Sequence, residues 1–321
     1  MARMVPVVLS DGESIKGVII TGGSGFIGSH MTTALRSWGV PVAIVDRNSP
    51  PLVDVNLFVR GAIEDESTWV RLNNELDFKV DTLFHLAART SVLESIKDPA
   101  DVFESNLVGF HNALEYCRRS GIDRVGFAST NAAVGNGTDG IITEEAPLLP
   151  LTPYGATKAA GEMLASAYGA SYGIDVASVR LTNVYGPGMW RKDSIVPRLF
   201  RHAVGLSDFA IYGDGQQFRD FVYVKDVVDA FITLAGVRFS GPVSFGSGSS
   251  VTVNELVKLV GETTGIAIKP RRVPPKAGEM AGVEISLKLA SSIGLRNEVE
   301  LIDGLRMAWD NFQEEHGQAV G

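Results

Sequence analysis

The chain of 321 residues has a single cysteine, Cys117, so it cannot form an intramolecular disulfide. This scarcity is typical of proteins that work in a reducing compartment. No uncharged apolar run is long enough to span a bilayer, and the first residues lack the apolar core of a secretory signal. We therefore expect a cytoplasmic protein that does not enter a membrane.

Positive charge is also scarce. The 29 lysines and arginines stand against 37 acidic residues, and the formal net charge of −8 argues against a general nucleic-acid binder. The five histidines are scattered without the paired spacing of metal ligands, so we predict no metal site. Apolar residues, by contrast, make up 45% of the chain, which at this length is enough for a core without a disulfide or metal.

Short β-branched runs alternate with helical patterns along most of the chain. The predicted strands are 17–21, 41–46, 57–60, 82–86, 123–128 and 175–181, and the first predicted helices are about 26–38, 100–120 and 152–172. Strands that alternate with helices pair in parallel and carry helices on both faces of their sheet. We therefore predict an α/β fold, a Rossmann-type doubly wound parallel sheet with a smaller C-terminal α/β part, in which helices recur near 225–237, 252–263 and 299–313.

A glycine-rich turn follows the first predicted strand. Gly22 suits a tight turn, Gly25 lets the backbone approach a pyrophosphate, and Gly28 lets the helix pack closely on the sheet. Asp46 ends the second strand, 18 positions after Gly28, where a carboxylate accepts hydrogen bonds from ribose hydroxyls and repels a 2′-phosphate. This pattern predicts NAD rather than NADP, with the adjacent Arg47 softening the preference; the alternative is a tight glycine turn without a ligand.

These features also suggest a division of the chain. We predict an N-terminal extension over 1–16, an NAD-binding Rossmann domain over 17–182, and a mainly substrate-binding part over 183–321. The boundary near 183 marks the place where short strands and Gly/Pro turns replace the regular alternation, and strands are free to cross it.

A second motif lies on the predicted helix 152–172. Tyr154 and Lys158 are four residues apart, so they share one helix face. A nearby ammonium favours a phenolate and lowers the tyrosine pKa, which suits a base for a hydroxyl undergoing oxidation. Thr130 lies at the carboxyl end of a predicted parallel strand, where such folds bind ligands. A tyrosine packed beside a solvated lysine, and a threonine in a turn, are the structural alternatives.

Taken together, these motifs resemble the extended short-chain dehydrogenase/reductase family, in particular its NAD-dependent sugar-nucleotide 4-epimerases and dehydratases. The matching segments are TGGSGFIGSH (21–30), HLAA (85–88), the segment 127–135, PYGATK (153–158), RLTNVYGPG (180–188), IYGDGQQFRDFVYVKDV (211–227) and FGSGSSVTVNEL (245–256). The resemblance covers nearly the whole chain after its first dozen or so residues, and the segments appear in the order that the family shows.

The resemblance implies roles for individual residues. Tyr154 is expected to be the catalytic base, Lys158 its partner, and Thr130 the third member of the catalytic set. The implied cofactor-binding residues are Gly22, Gly25, Phe26, Ile27, Gly28, Asp46, Arg47, Ile63, Leu86, Ala87, Ala88, Asn106, Ala128, Tyr154 and Lys158. The expected substrate-binding residues are Ser91, Val92, Thr130, Asn131, Tyr154, Asn183, Arg191, Val196, Tyr212 and Arg219. Among them Arg219 suits a bidentate phosphate contact, and Arg191 is a candidate for a charged sugar substituent.

One departure from the family pattern narrows the expected reaction. The dehydratases carry Asp-Glu after the threonine, whereas this chain has Asn131 and Ala132, which cannot transfer the protons of an elimination. We therefore expect epimerisation of a nucleotide-diphosphate sugar at C4 through a 4-keto intermediate. The alternatives are a dehydrogenase or reductase with net redox, a 4,6-dehydratase-like enzyme, and a non-catalytic nucleotide sensor.

The helices predicted at 100–120 and 152–172 carry apolar stripes, which core packing alone would explain. In the resembled family these helices pair with their copies, which implies a homodimer.

Overall fold

A computed structural model describes residues 15–51, 53–138, 140–190, 192–275, 282 and 284–320. The strands are β1 (Val18–Thr21), β2 (Val42–Asp46), β3 (Leu57–Arg60), β4 (Thr82–His85), β5 (Arg124–Thr130), β6 (Ile141–Ile142), β7 (Asp175–Leu181), β8 (Asn183–Tyr185), β9 (Ala210–Tyr212), β10 (Phe218–Tyr223), β11 (Gly241–Phe245), β12 (Ser250–Thr252), β13 (Arg271–Val273) and β14 (Glu284–Ile285). The helices are α1 (Phe26–Ser37), α2 (Glu66–Glu75), α3 (Val92–Lys97), α4 (Pro99–Phe103), α5 (Gly109–Ser120), α6 (Pro153–Tyr172), α7 (Ile195–Ala203), α8 (Val224–Gly236), α9 (Val253–Thr264), α10 (Lys288–Ile293) and α11 (Leu301–Val320).

The central sheet has the order β11-β7-β5-β4-β1-β2-β3, and all its neighbouring strands are parallel. The chain runs outward from β1 through β2 to β3, and then returns to the other side of β1 as β4. The predicted Rossmann-type doubly wound sheet is therefore confirmed. The reversal between β1 and β4 opens a crevice at the carboxyl ends of the strands, where such sheets bind ligands.

The sheet is buried on both faces. Val18 and Ile20 of β1 point into one apolar cluster with helices α1 and α8, whereas Ile19 points into the opposite cluster with α5. All three residues are 0% exposed. A strand with both faces covered needs a continuous apolar run, which is the pattern of β1 in the sequence.

The helical stretch between β4 and β5 departs from the predicted single helix over 100–120. A π-helical turn over Glu104–Val108 separates α4 from α5. Strand β5 runs to Thr130, two residues beyond the predicted end, so the Ser129 and Thr130 hydroxyls belong to the sheet edge.

The chain after β7 forms a second layer and also returns to the sheet. In the second layer β10 pairs with β8 and β12, β9 pairs with β13, and helices α7, α9 and α11 enclose a third apolar cluster. Strand β11 pairs in parallel with β7 at the edge of the central sheet. Within the described ranges, no helix is both long and apolar enough to cross a membrane.

Candidate active site

The glycine turn between β1 and α1 is tightly packed at two positions and open at the third. Gly22 has φ +74°, and a Cβ there would lie 2.7 Å from the Ala87 backbone nitrogen; at Gly28 a Cβ would lie 2.1 Å from the Gly22 oxygen. Gly25 has φ −78°, is exposed, and a Cβ there would meet only the Gly22 oxygen, at 3.1 Å. The packing of the turn therefore requires glycine at 22 and 28, whereas Gly25 leaves space on the solvent side.

The N-terminus of α1 offers free donors at this turn. Its first turn contains no acidic residue, and no side chain of the described residues caps it. The buried Ser24 hydroxyl has no hydrogen-bond partner within the described part of the chain. Free backbone N–H groups, an unpaired hydroxyl and the positive end of a helix dipole fit a pyrophosphate. The residues present therefore fit the dinucleotide that the sequence predicts.

Asp46 stands at the carboxyl end of β2, beside the glycine turn. Its carboxylate accepts hydrogen bonds from the Ser24 backbone N–H at 3.0 Å and the Asn48 backbone N–H at 2.9 Å, and the residue is 6% exposed. A carboxylate has about four acceptor sites, so acceptor capacity remains for ribose hydroxyls. The adjacent Arg47 is bound to Glu64 at 2.9 Å.

A cavity of about 220 Å³ brings most of the predicted cofactor residues together. Its lining includes the predicted residues Gly22, Gly25, Asp46, Arg47, Ile63, Leu86, Ala87 and Ala88, and five others, Val45, Asn48, Gly61, Arg89 and Ser105. The small residues that follow β4 keep this cavity open directly beyond the carboxyl edge of the sheet.

Asn106 lies in the π-helical turn and is 1% exposed. Its side-chain oxygen accepts from the Arg89 backbone N–H at 2.7 Å, and its amide donates to the Arg89 oxygen at 3.0 Å and the Thr157 hydroxyl at 3.2 Å. Asn106 therefore ties the cavity loop after β4 to the helix that carries Tyr154. π-Helical turns often mark functional sites.

Helix α6 is positioned by its own N-terminus. The Thr152 hydroxyl accepts from the Gly155 backbone N–H at 3.2 Å, and Pro153 occupies the first turn. This cap places Tyr154 beside the carboxyl end of β5, where its side chain interacts with that of Thr130. Burial raises the pKa of Tyr154 to about 12, and the interaction with Thr130 acts in the opposite direction.

Lys158 lies one helical turn after Tyr154 and is 2% exposed. Its ammonium donates to the Ala128 carbonyl oxygen at 2.8 Å and lies 4.7 Å from the centre of the Phe127 ring. Burial lowers the pKa of Lys158 to about 7, while the Glu162 carboxylate acts against this change. The sequence argument expects a lowered tyrosine pKa, whereas in the protein alone burial dominates both groups and moves the two pKa values apart.

A second cavity, of about 640 Å³, opens next to Thr130. Five of the predicted substrate residues line it, namely Val92, Thr130, Asn131, Asn183 and Arg219. The other lining residues are Ile96, Ala132, Gly135, Leu151, Thr152, Leu181, Thr182 and Asp220. This cavity therefore combines polar groups from β5, β8 and β10 with apolar groups from α3 and the loop before α6.

The polar floor of this cavity is held by Asp220. The side chain, 3% exposed, accepts from the Thr182 hydroxyl at 2.9 Å and from the Ser247 and Gly248 backbone N–H groups at 2.8 and 2.7 Å. Its backbone oxygen accepts from the Asn183 amide at 2.9 Å. Asp220 thereby fixes the neighbouring Asn183 and the strand that carries Arg219.

The remaining predicted residues occupy varied places. Ser91 caps α3, and Ala128 binds the Lys158 ammonium through its carbonyl oxygen. Val196 is 1% exposed and belongs to the third apolar cluster, enclosed by α7, α9 and α11 and called here the C-terminal cluster. Tyr212 ends β9. Arg191 lies outside the described residues.

Two predicted cofactor residues, Phe26 and Ile27, open helix α1. Phe26 packs beside the C-terminal cluster, and the Lys192 ammonium lies 4.7 Å from the centre of its ring. Ile27 packs against the cluster that contains Val18 and Ile20.

Three buried polar residues behind Lys158 were not identified from the sequence. Ser129 and Arg180 each donate hydrogen bonds to Glu162 beneath the helix that carries Tyr154 and Lys158. Glu162 follows Lys158 by one helical turn, and this spacing was a signal available in the sequence. Its partners come from β5 and β7, and only the folded sheet brings them to it.

Comparisons with known proteins agree with this arrangement. The model of the NAD dependent epimerase/dehydratase family matches residues 18–243. A putative UDP-glucose 4-epimerase of Methanocaldococcus jannaschii is 32% identical, over 90% of this chain and 96% of that protein. A dTDP-glucose 4,6-dehydratase of an Actinoplanes species is also 32% identical, over 91% of this chain and 97% of that protein.

A solved structure gives the same result in three dimensions. The crystal structure of a UDP-glucose 4-epimerase from Thermotoga maritima with UDP-glucose has a TM-score of 0.87 and 32% identity, and the match covers 94% of this chain and 99% of that one. The relatives thus bear two activity names at equal identity, while the family model names NAD as the cofactor. The resemblance inferred from the motifs is confirmed, and the chain belongs to the NAD-dependent epimerase/dehydratase family of nucleotide-sugar enzymes.

Proposed function

We propose that this protein epimerises a nucleotide-diphosphate sugar at C4 with an NAD that stays bound and is regenerated in each turnover. The observation that carries the proposal is the placement of the Tyr154 side chain next to that of Thr130 at the sheet edge, with Lys158 one turn further along the same helix. Next to this pair, Asn131 and Ala132 line the adjacent cavity where the resembled dehydratases carry two acids.

In this proposal the protein moves one proton out and back. Tyr154 takes the proton of the sugar C4 hydroxyl, directly or through the neighbouring Thr130 hydroxyl. The Lys158 ammonium stabilises the phenolate, because an opposite charge nearby favours the ionised form of a phenol. When bound, NAD⁺ supplies the acceptor that takes the C4 hydride and returns it. The 4-keto sugar would turn over in the cavity and present its other face before reduction, which would invert C4.

The nucleotide end of the substrate would be gripped on the C-terminal side of the cavity. Asn183 and Arg219 line that side, and a guanidinium suits bidentate binding of a diphosphate. A firm hold on the diphosphate is what lets the sugar ring turn over without leaving the site. In this proposal Arg191 would bind a charged substituent of the sugar.

We also propose a homodimer built on the helices that flank the site. Phe103 of α4 and Met163 of α6 are 49% and 63% exposed, although both are large and apolar. Among the other apolar residues of α5 and α6, Phe110, Leu114 and Tyr168 are buried in the core of the chain itself. The two exposed side chains would be covered by the same helices of a second copy. Sedimentation equilibrium of the wild-type protein and of Met163→Lys tests this, with a monomeric wild type as the contradicting result.

The direct test of the activity is a panel of UDP-, dTDP- and GDP-sugars incubated with the purified protein without added NAD. The expected product is the C4 epimer of one of them, identified by NMR, with a C4 deuterium retained in the product. Absorbance at 340 nm should not rise in proportion to the substrate converted, because the reduced nicotinamide is never released.

Other outcomes of this panel would favour other readings. A 4-keto-6-deoxy product would favour the dehydratase named among the relatives, and accumulation of reduced nicotinamide in step with product would favour a net oxidoreductase. No turnover on any sugar nucleotide, combined with tight binding of one of them, would favour a nucleotide sensor. In that last case Tyr154→Phe should leave binding unchanged.

A further inference from the structure

A buried polar network lies behind the catalytic lysine. The Glu162 carboxylate accepts a hydrogen bond from the Ser129 hydroxyl and two from Arg180, from Nε at 3.0 Å and Nη2 at 2.8 Å. The exposed fractions of Ser129, Glu162 and Arg180 are 3%, 7% and 2%. Burial of an ion pair costs desolvation, so such a pair needs further hydrogen bonds to be retained without loss of stability.

The network joins the strand that carries Thr130 to the helix that carries Tyr154. Ser129 lies between Thr130 and Ala128, and the Ala128 oxygen accepts the hydrogen bond of the Lys158 ammonium at 2.8 Å. Ser129 is also the register partner of Arg180 in the neighbouring strand β7. The carboxylate of Glu162 is therefore held at a fixed distance from the group that Lys158 binds.

Arg180 is itself held from a third side. Its Nη1 donates to the Thr143 and Glu144 backbone oxygens, both at 3.2 Å. The Glu144 carboxylate in turn accepts from the Ser244 backbone N–H of β11 at 2.8 Å. Every nitrogen of the Arg180 guanidinium therefore donates a hydrogen bond, and Arg180 is anchored to the backbone independently of Glu162.

The charges that face Lys158 come from three elements. Tyr154 and Glu162 lie on its own helix, His85 faces it from β4, and Arg180 lies beyond Glu162 on β7. Burial, followed by the charge of Lys158, holds the pKa of His85 well below its usual range, so this imidazole is neutral. In this set Glu162 is the group that favours the ammonium form of Lys158, since its charge opposes the effect of burial on the Lys158 pKa.

We propose that Glu162 is a positioning residue for the reaction, because its carboxylate, fixed by Ser129 and Arg180, keeps Lys158 in the ammonium form beside Tyr154. The inference rests on the proposed role of Lys158 as the partner of Tyr154. Glu162 acts through Lys158 and need not touch substrate or cofactor. A network that only stabilised the fold would leave the titration of Lys158 unchanged when the carboxylate is neutralised.

The test follows the Lys158 side chain directly. Protein labelled with ¹³C at the lysine Cε positions is titrated by NMR, with the Lys158 signal assigned from Lys158→Arg. In Glu162→Gln the midpoint of Lys158 should fall by about one pH unit or more, because a nearby anion is lost while the Arg180 cation stays. Ser129→Ala keeps both charges and should move the midpoint less.

A matched control breaks an ion pair at the other end of the same strand. Asp81→Asn removes the partner that Arg124, the first residue of β5, binds at 3.5 Å. This variant should lose stability without a change in the Lys158 midpoint. An unchanged midpoint in Glu162→Gln would overturn the proposal.

A second variant keeps the test valid if Glu162→Gln does not fold. Combining Glu162→Gln with Arg180→Gln removes the buried Arg180 charge that the single substitution would leave without its carboxylate partner. Lys158 should then titrate below its wild-type midpoint, but above that of Glu162→Gln where the single variant folds. A wild-type midpoint in the double variant would overturn the proposal.

The NMR readout needs neither cofactor nor sugar, so it is decided separately from the proposed function. Once a substrate is known, the alkaline limb of kcat should move to lower pH in Glu162→Gln while KM changes little. Failure of the wild type to act on any sugar nucleotide would count against the proposed function alone.

Discussion

The central sheet has an amino edge, where its parallel strands begin, and a carboxyl edge, where they end. Charged side chains pair with one another at the amino edge, whereas polar groups stand beside cavities at the carboxyl edge. At the amino edge, Arg238 is bound to Asp123 at 2.8 Å and to Asp175 at 2.9 Å, and Arg124 to Asp81 at 3.5 Å. At the carboxyl edge, no side chain in the described ranges caps the N-terminus of α1, and Thr130 and Tyr154 stand beside a cavity.

Cavity size alone does not identify the carboxyl edge as the place of the site. The amino-edge cleft measures about 730 Å³, and the two carboxyl-edge cavities about 220 and 640 Å³. What differs is chain direction. The parallel strands all end at one edge, where the helices that follow them begin, so backbone donors and the strand-end side chains of Asp46 and Thr130 collect there. The comparison teaches that donor direction, rather than volume, distinguishes the edge at which the site is proposed.

The largest expected effect comes from removing the Tyr154 hydroxyl at the carboxyl edge. Tyr154→Phe should lower kcat of the proposed epimerase by about 1000-fold, since it removes the proton acceptor, while NAD affinity changes little. The matched control is Tyr116→Phe, because Tyr116 lines the amino-edge cleft and should retain turnover. Steady-state kinetics and calorimetric NAD titration check both variants. Equal losses in the two would break the contrast between the edges.

Next in size is a substitution in the glycine turn. Gly25→Val should fold, because the backbone at Gly25 has φ −78°, but its side chain would project where the phosphates are expected. NAD affinity should fall by roughly 30-fold or more with a small change in Tm. Gly140→Val, at an exposed glycine where a Cβ meets nothing within 4 Å, serves as control. Undiminished NAD binding by Gly25→Val would show that the pyrophosphate lies elsewhere.

A smaller effect is expected at the strand ends. Asp46→Asn should narrow the preference for NAD over NADP by about 10-fold, because the charge that repels a 2′-phosphate is lost. Asp123→Asn removes an acid just before β5 at the opposite edge and should leave the preference as it is. Competitive binding of the two dinucleotides measures the ratio. A preference equally strong in Asp46→Asn would assign the discrimination to another residue.

The smallest effect concerns stability and its pH dependence. Burial lowers the pKa of Lys158 from 10.5 to about 7, so between these values the unfolded chain binds more protons than the folded one. The folded wild type therefore gains stability as pH rises through this window, and the cost of the buried ammonium is greatest below about pH 7. Lys158→Met should be more stable than wild type by about 1 kcal/mol at acidic pH, after the lost hydrogen bond is subtracted, and this advantage should fade towards alkaline pH.

Urea unfolding of the cofactor-free protein across this pH range measures the difference. Lys79→Met at the amino edge replaces an exposed lysine and should change the free energy of unfolding by less than about 0.5 kcal/mol at every pH. A Lys158→Met advantage that is independent of pH would mean that the lysine is not titrating in the fold.

Much of the fold could be predicted because its signals are local. The strand 175–181 lies where the apolar pattern places it, and the glycine turn lies between a strand and a helix as its spacing requires. The limits of the prediction lie where tertiary contacts decide. The π-helical turn that places Asn106 on Arg89 and Thr157 has no counterpart in the apolar periodicity.

The sequence by itself determined the alternation of strands and helices up to residue 181, the glycine turn and the spacing of Tyr154 and Lys158, because each depends on neighbours within a few residues. Only the tertiary structure decided which groups surround the lysine. Ser129 and Arg180 reach Glu162 across 33 and 18 residues of chain, and burial raises the pKa of Tyr154 to about 12 and lowers that of Lys158 to about 7. Desolvation and long-range charge exist only once the sheet has closed over these groups, so no local pattern encodes them.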